Sequence, residues 1–145
     1  MIRDIILEDK AAFMDMAKDF YTSEALAHAV DSELYEAAFY TAIKKTPFLR
    51  ALAIEDKGSP VGFALLSFSF ATEVGGIAVL IEDIYIKETC RGKGLGSKFM
   101  QFVEREYPSA KRFRLEVAKN NEKAMDLYRN IGYETLEYVQ LVKDV

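Results

Sequence analysis

The sequence predicts an α/β (α+β) fold: one mixed central sheet of six to seven strands with helices on both faces. Three observations carry this. Apolar residues recur at helical spacing in some stretches and at strand spacing in others, and the period switches several times along the 145 residues. Ile77 to Ile86 is apolar enough to read as a central strand covered on both sides. A glycine-rich junction, Gly92 to Gly96, then leads directly into an amphipathic run. The length fits one domain over residues 1–145.

The elements follow in order. Ile2, Ile5 and Leu7 suggest a short first strand. Asp9 to Tyr21 sets Phe13, Met14, Met16, Ala17 and Phe20 near helical spacing, and Asp31 caps a second stripe of Leu34, Tyr35, Ala38, Phe39 and Ala42. Phe48 to Glu55 and Val61 to Ala71 read as strands around the turn Glu55 to Pro60. Ile77 to Ile86 follows, broken only by Glu82 and Asp83. Phe99, Met100, Phe102 and Val103 give a helix ending near Pro108; then come a strand from Phe113 to Ala118, a helix from Asn121 to Asn130 stopped by Gly132, and a last strand from Tyr133 to Val142. The order is β-α-α-β-β-β-α-β-α-β. The aromatic run Phe63, Phe68 and Phe70 reads as strand core.

Composition narrows the class of protein. Residues 1–45 hold nine Asp and Glu against five Lys and Arg, so the whole net charge of −4 lies in the first third. Without a basic stripe the chain is not expected to bind nucleic acid, whereas an acidic rim attracts cations. The longest apolar stretch, Ile77 to Ile81, is far short of the roughly 20 residues that span a bilayer, so no membrane segment is expected. Cys90 is the only cysteine and the amino terminus has no secretory pattern, which points to a reducing cytoplasm. His28 is the only histidine, and no metal site is expected. With no histidine near it in sequence, Cys90 reads as a small buried hydrophobe and not as a nucleophile.

Cys90-Arg91-Gly92-Lys93-Gly94-Leu95-Gly96-Ser97 joins a buried strand to a helix. Alternate glycines let successive backbone N–H groups turn toward one point, and the helix N-terminus adds its dipole: together an anion cradle suited to a phosphate ester. Arg91, Lys93 and Lys98 bring charge nearby. Neither common nucleotide motif fits. Gly96 is followed by Ser97 and then Lys98, not by Lys-Ser, and the third glycine of the dinucleotide fingerprint falls at Phe99.

Arg91-x-x-Gly94-x-Gly96 resembles the acetyl-CoA pyrophosphate loop of the GNAT superfamily, and the element order resembles that fold from end to end. Asn121-x-x-Ala124-x-x-Leu127-Tyr128, followed by Ile131-Gly132-Tyr133, is similar to its second signature. Ile81 to Ile86 looks like the central strand of the diamine and polyamine acetyltransferase branch. The resemblance implies an N-acetyltransferase with acetyl-CoA as co-substrate and a small, cationic amine or a peptide amine as acceptor. It implies that Gly92, Lys93, Gly94, Leu95, Gly96 and Ser97, with Arg91, hold the pyrophosphate, that the backbones of Ile84, Tyr85 and Ile86 pair with pantetheine, and that Asn121, Glu122, Lys123 and Tyr128 line the arm. It further implies Glu82 as base, Tyr128 as acid, and a homodimer formed through the last strand.

An ammonium cannot attack a thioester, so a carboxylate must take its proton, and burial would raise that carboxylate's pKa usefully. Strand alternation sends Glu82 and Asp83 to opposite faces, which leaves Asp83 as the structural one. A free N–H near Ile84 would serve a developing oxyanion where neighbouring strands splay, and a phenol at Tyr128 would supply a proton to the departing thiolate. The alternative is a catalytically silent acetyl-CoA-binding module of the same shape, acting as a sensor or docking domain. Taken singly, Tyr128 also reads as a plain core tyrosine and Glu82 as a buried acid satisfied by hydrogen bonds.

Overall fold

A computed structural model of the chain describes residues 1–23, 26 and 28–145. Five strands form one sheet in the order β1-β2-β3-β4-β5: β1 (Ile2–Asp4), β2 (Leu49–Asp56), β3 (Ser59–Ala71), β4 (Gly76–Ile86) and β5 (Arg112–Leu115). The first four pair antiparallel and β4 pairs β5 in parallel, so the sheet is mixed. The helices are α1 (Lys10–Tyr21), α2 (Ser32–Ile43), α3 (Leu95–Glu106) and α4 (Glu122–Asn130).

Alternation along the strands divides the core in two. Ala51, Phe63, Leu65 and Tyr85 meet Phe13, Met16, Ala17 and Tyr21 of α1 and Tyr35 and Phe39 of α2. Their neighbours Leu52, Ile54, Ala64, Leu66, Val79 and Ile81 meet Phe99, Met100 and Val103 of α3. Helices therefore cover both faces, as the hydrophobic periods require.

The expected sixth and seventh strands are absent among the described residues. Residues 133–145 form no ladder, and Val139 and Leu141 are 88% and 91% exposed. Their alternating apolar pattern is strand-like, but a strand exists only where a neighbour takes up its N–H and C=O groups, and no backbone ladder bond joins this segment to β5. Strand β5 is also shorter than the expected 113–118. Phe63 is fully buried and Phe68 packs near Tyr107, but Phe70 is 68% exposed. It pairs with Ile77 at the far end of the β3–β4 hairpin, beyond the start of β5 opposite Ala78.

Strand β4 contains the irregularity that matters for the site. Leu65 pairs with Asp83 and Leu66 with Ile81, so Glu82 is an extra residue, a β-bulge without a partner on β3. Ile81 and Ile84, three apart, consequently pack on the same α3 face.

Candidate active site

Strand β4 loses its parallel neighbour half-way. The ladder to β5 ends at Ile81 opposite Leu115, so residues 83–86 carry partners only on the β3 side and Glu82 carries none. Their other edge opens on a cleft of about 810 Å³ whose walls include Ile84, Tyr85, Ile86, Arg91 and Gly96, with Asn121, Ala124, Leu127 and Tyr128 from α4 and its cap. Seven of the residues given site roles from the sequence thus converge on one cavity, whereas Glu82 does not line it.

Beyond Ile86 the chain makes a short 3-10 turn, Glu88–Cys90, and enters the glycine loop. Gly92 and Gly94 have φ of +75° and +74°, values that strain any residue with a Cβ, and open space lies where a Cβ would sit. No hydrogen bond takes up the N–H groups of Gly92, Lys93 or Gly94 among the described residues. Those of Leu95, Gly96 and Ser97 belong to the first turn of α3, where a helix has no carbonyl to offer them. Six donors at the positive end of a twelve-residue helix fit a pyrophosphate.

The nearby cations are arranged less simply than their spacing suggests. Arg91 turns inward: its Nε donates to the Ile86 carbonyl at 2.8 Å and its guanidinium lies 5.8 Å from the Tyr85 ring centre. Lys93 reaches toward Asp56 at 3.9 Å, and Lys98 is exposed. Asn121 caps α4, its Oδ1 accepting from Ala124 N–H at 3.3 Å, which leaves its amide NH₂ available. Glu122 and Lys123, on the first turn of α4, are exposed and do not line the cleft.

Tyr128 is half-buried, 5.9 Å from Tyr133 between ring centres, and burial pushes its phenol above the ordinary tyrosine value. It borders both this cleft and a second one of about 800 Å³ between β5 and residues 133–140.

The two carboxylates depart from simple alternation. Leu66 faces α3, so its neighbours Leu65 and Ser67 face α1 and α2. Asp83 sits opposite Leu65, and the Tyr21 hydroxyl of α1 donates to its Oδ2 at 2.6 Å. Glu82 accepts from Ser67 Oγ at 2.6 Å. Both acids therefore stand on the α1–α2 face, because the bulge spends the residue that alternation would have turned away. Glu82 is exposed, not buried as expected, while Asp83 is the partly buried one.

Sequence reasoning missed the contribution of α1. Asp19, Phe20 and Ser23 line the cleft, and the Tyr85 hydroxyl donates to Asp19 at 3.3 Å. Phe20 packs against Tyr21, Phe63 and Tyr85. Nothing in residues 10–21 alone marks them for this; only the topology brings the end of α1 to β4. His28 is exposed, and no group of three or more potential ligands among the described residues is placed to hold a metal ion. No helix among the described residues is long and apolar enough to cross a membrane.

Residues 11–133 match the profile of the Acetyltransferase (GNAT) family. The chain belongs to this family. It is similar to curated proteins named thialysine N-epsilon-acetyltransferase: 32% identical to that of Bos taurus over 94% of this chain and 85% of the relative, and 32% identical to that of Mus musculus over 93% and 84%. Among solved structures it shares its fold with a ribosomal-protein-alanine N-acetyltransferase from Brucella melitensis biovar Abortus 2308 (TM-score 0.79, 18% identity, 99% and 98% of the two chains). AAC(6')-Iy, solved with a bisubstrate analogue of coenzyme A, is also similar (TM-score 0.80, 15% identity, 100% and 97%). This GNAT chain is an acetyltransferase, and acetyltransferases of this family take acetyl-CoA as co-substrate.

Proposed function

We propose that this GNAT enzyme transfers the acetyl group of acetyl-CoA directly to a primary amine of a small, cationic molecule or an exposed peptide amine. One observation carries the reading: the unpaired edge of β4 starts at a bulge that holds two carboxylates and leads, through the turn Glu88–Cys90, to a glycine loop and helix start with six free N–H groups. Acetyl-CoA supplies the activated acetyl group. On this reading the donors of Gly92 to Ser97 take the pyrophosphate, and the free edge at Ile84, Tyr85 and Ile86 takes the amides of the arm as an added strand would. The Arg91 side chain gives up the Ile86 carbonyl in doing so.

Glu82 removes the acceptor's proton through Oε2, the oxygen that Ser67 leaves free. Exposure suits a residue that must meet an incoming ammonium, and Asp83 and Asp19 on the same side add the negative field that draws one in. Tyr128 holds its proton at neutral pH as any phenol does, and burial pushes its pKa further up, so Oη has a proton to deliver in the cleft. The unpaired N–H groups of the β4 edge near Ile84 face the same space. The name of the curated relatives makes thialysine the first acceptor to try. We also infer that two chains associate through the open edge of β5 and the exposed apolar residues after Tyr133.

Thermal unfolding with acetyl-CoA, beside ATP, NAD and dephospho-coenzyme A, tests the co-substrate. Acetyl-CoA should raise the midpoint, and Gly94→Glu should abolish the rise, since it puts a carboxylate into the cradle at a positive φ. A rise with ATP or NAD alone would overturn the assignment.

A further inference from the structure

The acids on the bulge differ in one respect that the direct-transfer reading leaves unused. Asp83 is held by a buried device: Tyr21 donates to Oδ2 at 2.6 Å, and the Tyr21 ring lies flat against Tyr35 of α2, 5.2 Å between centres and 13° from parallel. Both tyrosines are 6% exposed. A short phenol-to-carboxylate bond backed by a stack fixes the Asp83 rotamer from two helices at once. Its other oxygen, Oδ1, accepts no hydrogen bond from the described residues, yet is not among the buried atoms sealed off without a partner. The carboxyl is thus anchored on one side and reachable on the other, immediately beside Glu82 and on the same face.

We propose that Asp83 is the proton-holding partner of Glu82: the proton that Glu82 Oε2 takes from the acceptor nitrogen passes to Asp83 Oδ1, while Tyr21 positions Asp83 through Oδ2. The inference rests on the direct-transfer reading. The nitrogen keeps the electron pair of its broken N–H bond, Asp83 becomes a neutral acid, and the proton returns through exposed Glu82 to water after turnover. The groups facing Asp83 are Glu82 beside it on β4, Ser67 on β3, Tyr21 on α1 and, behind Tyr21, Tyr35 on α2; none is a cation. Burial first, and the charge of Glu82, push the Asp83 carboxyl above the usual aspartate value, while the Tyr21 bond opposes them by favouring the charged form. A carboxyl so placed has a raised tendency to keep a proton.

The test is the pH profile of kcat and KM for acetylation of thialysine at saturating acetyl-CoA, for the wild type, Asp83→Asn, Tyr21→Phe and Glu82→Gln. Asp83→Asn should lower kcat by about 100-fold at neutral pH, the low end for loss of proton transfer, and leave KM for acetyl-CoA, measured separately at saturating thialysine, unchanged. Its remaining rate should climb toward alkaline pH, where the acceptor loses its own proton. Tyr21→Phe should move the acid limb of kcat to higher pH, because it removes the bond that favours the ionised carboxyl, and should recover the wild-type plateau beyond that limb. An unchanged limb in Tyr21→Phe overturns the proposal even if Asp83→Asn fails to fold. Loss of activity in both variants with the wild-type pH profile also overturns it, since that marks a structural role alone. If wild type acetylates and Glu82→Gln is impaired while these limbs stay fixed, only the inference fails; if wild type acetylates no amine, the underlying reading fails with it.

Discussion

The two walls of the cleft are assembled in opposite ways. One wall, from Ile84 through the glycine loop to the first turn of α3, comes from residues contiguous in the chain, and its chemistry is backbone chemistry: N–H groups exposed by positive φ and by a helix start. The other shows Phe20 and Tyr85 to the cleft; behind them Tyr21 of α1, Tyr35 of α2 and Phe63 of β3 complete one set of touching rings, on which side-chain oxygens are mounted. A local wall tolerates change around it but not within its few glycines. A wall built at long range fails wherever its packing fails.

The sharpest way to separate them is Phe63→Ala. Phe63 is fully buried and meets Phe13, Phe20, Tyr21 and Tyr85, so the substitution should cost about 3–5 kcal/mol in urea unfolding. Acetyl-CoA should still stabilise the fraction that remains folded; loss of that response would mean that the walls are not independent. Tyr128→Phe, on the α4 side of the cleft, should reduce kcat about 100-fold, equivalent to about 2.7 kcal/mol, with little change in KM for acetyl-CoA. A kcat within twofold of wild type would return Tyr128 to the core.

A control lies away from both walls. Arg3 bridges Asp9 at 2.7 Å and Glu55 at 2.8 Å, and both acids are nearly buried. The hydrogen bond from Arg3 holds the Asp9 carboxyl below the usual range, so its contribution to stability is present above the unfolded value and lost as pH falls through the lower folded one. Arg3→Met should destabilise by about 2 kcal/mol, less than for a fully buried pair, and flatten that acid dependence in denaturation series run toward low pH, without altering the acetyl-CoA shift. The smallest energetic change concerns association: sedimentation should give twice the chain mass, and a lysine at Val139 should return it to one; a monomeric wild type would sink the pairing.

What was legible in the sequence follows the same division. The glycine loop could be read because positive φ and a helix start are local properties of Gly92, Gly94 and Leu95, and β4 could be read because Ile77 to Ile86 must be covered wherever it lies. The placement of Glu82 and Asp83 could not, because a bulge without glycine leaves no mark in composition; it is defined by Leu65 and Leu66 on another strand. The missing last strand is the converse case. Leu136, Tyr138 and Val142 look paired, but pairing belongs to two segments, not to one. The aromatic side of the cleft depended on contacts between residues more than sixty apart, such as Tyr21 with Asp83 and Asp19 with Tyr85, and no window on the chain contains both partners.

The bulge has a counting consequence. Remove Glu82 from the tally and β3 and β4 match one to one: Ile81 still faces Leu66, Asp83 still faces Leu65, Ile84 still faces Ala64, and every apolar residue keeps its side of the sheet. Glu82 is supernumerary to the architecture. A chain lacking it would have a more regular ladder and the same interior. Glu82 therefore interrupts β4 without adding to the interior, and on the proposed reading its carboxylate is left for the acceptor's proton.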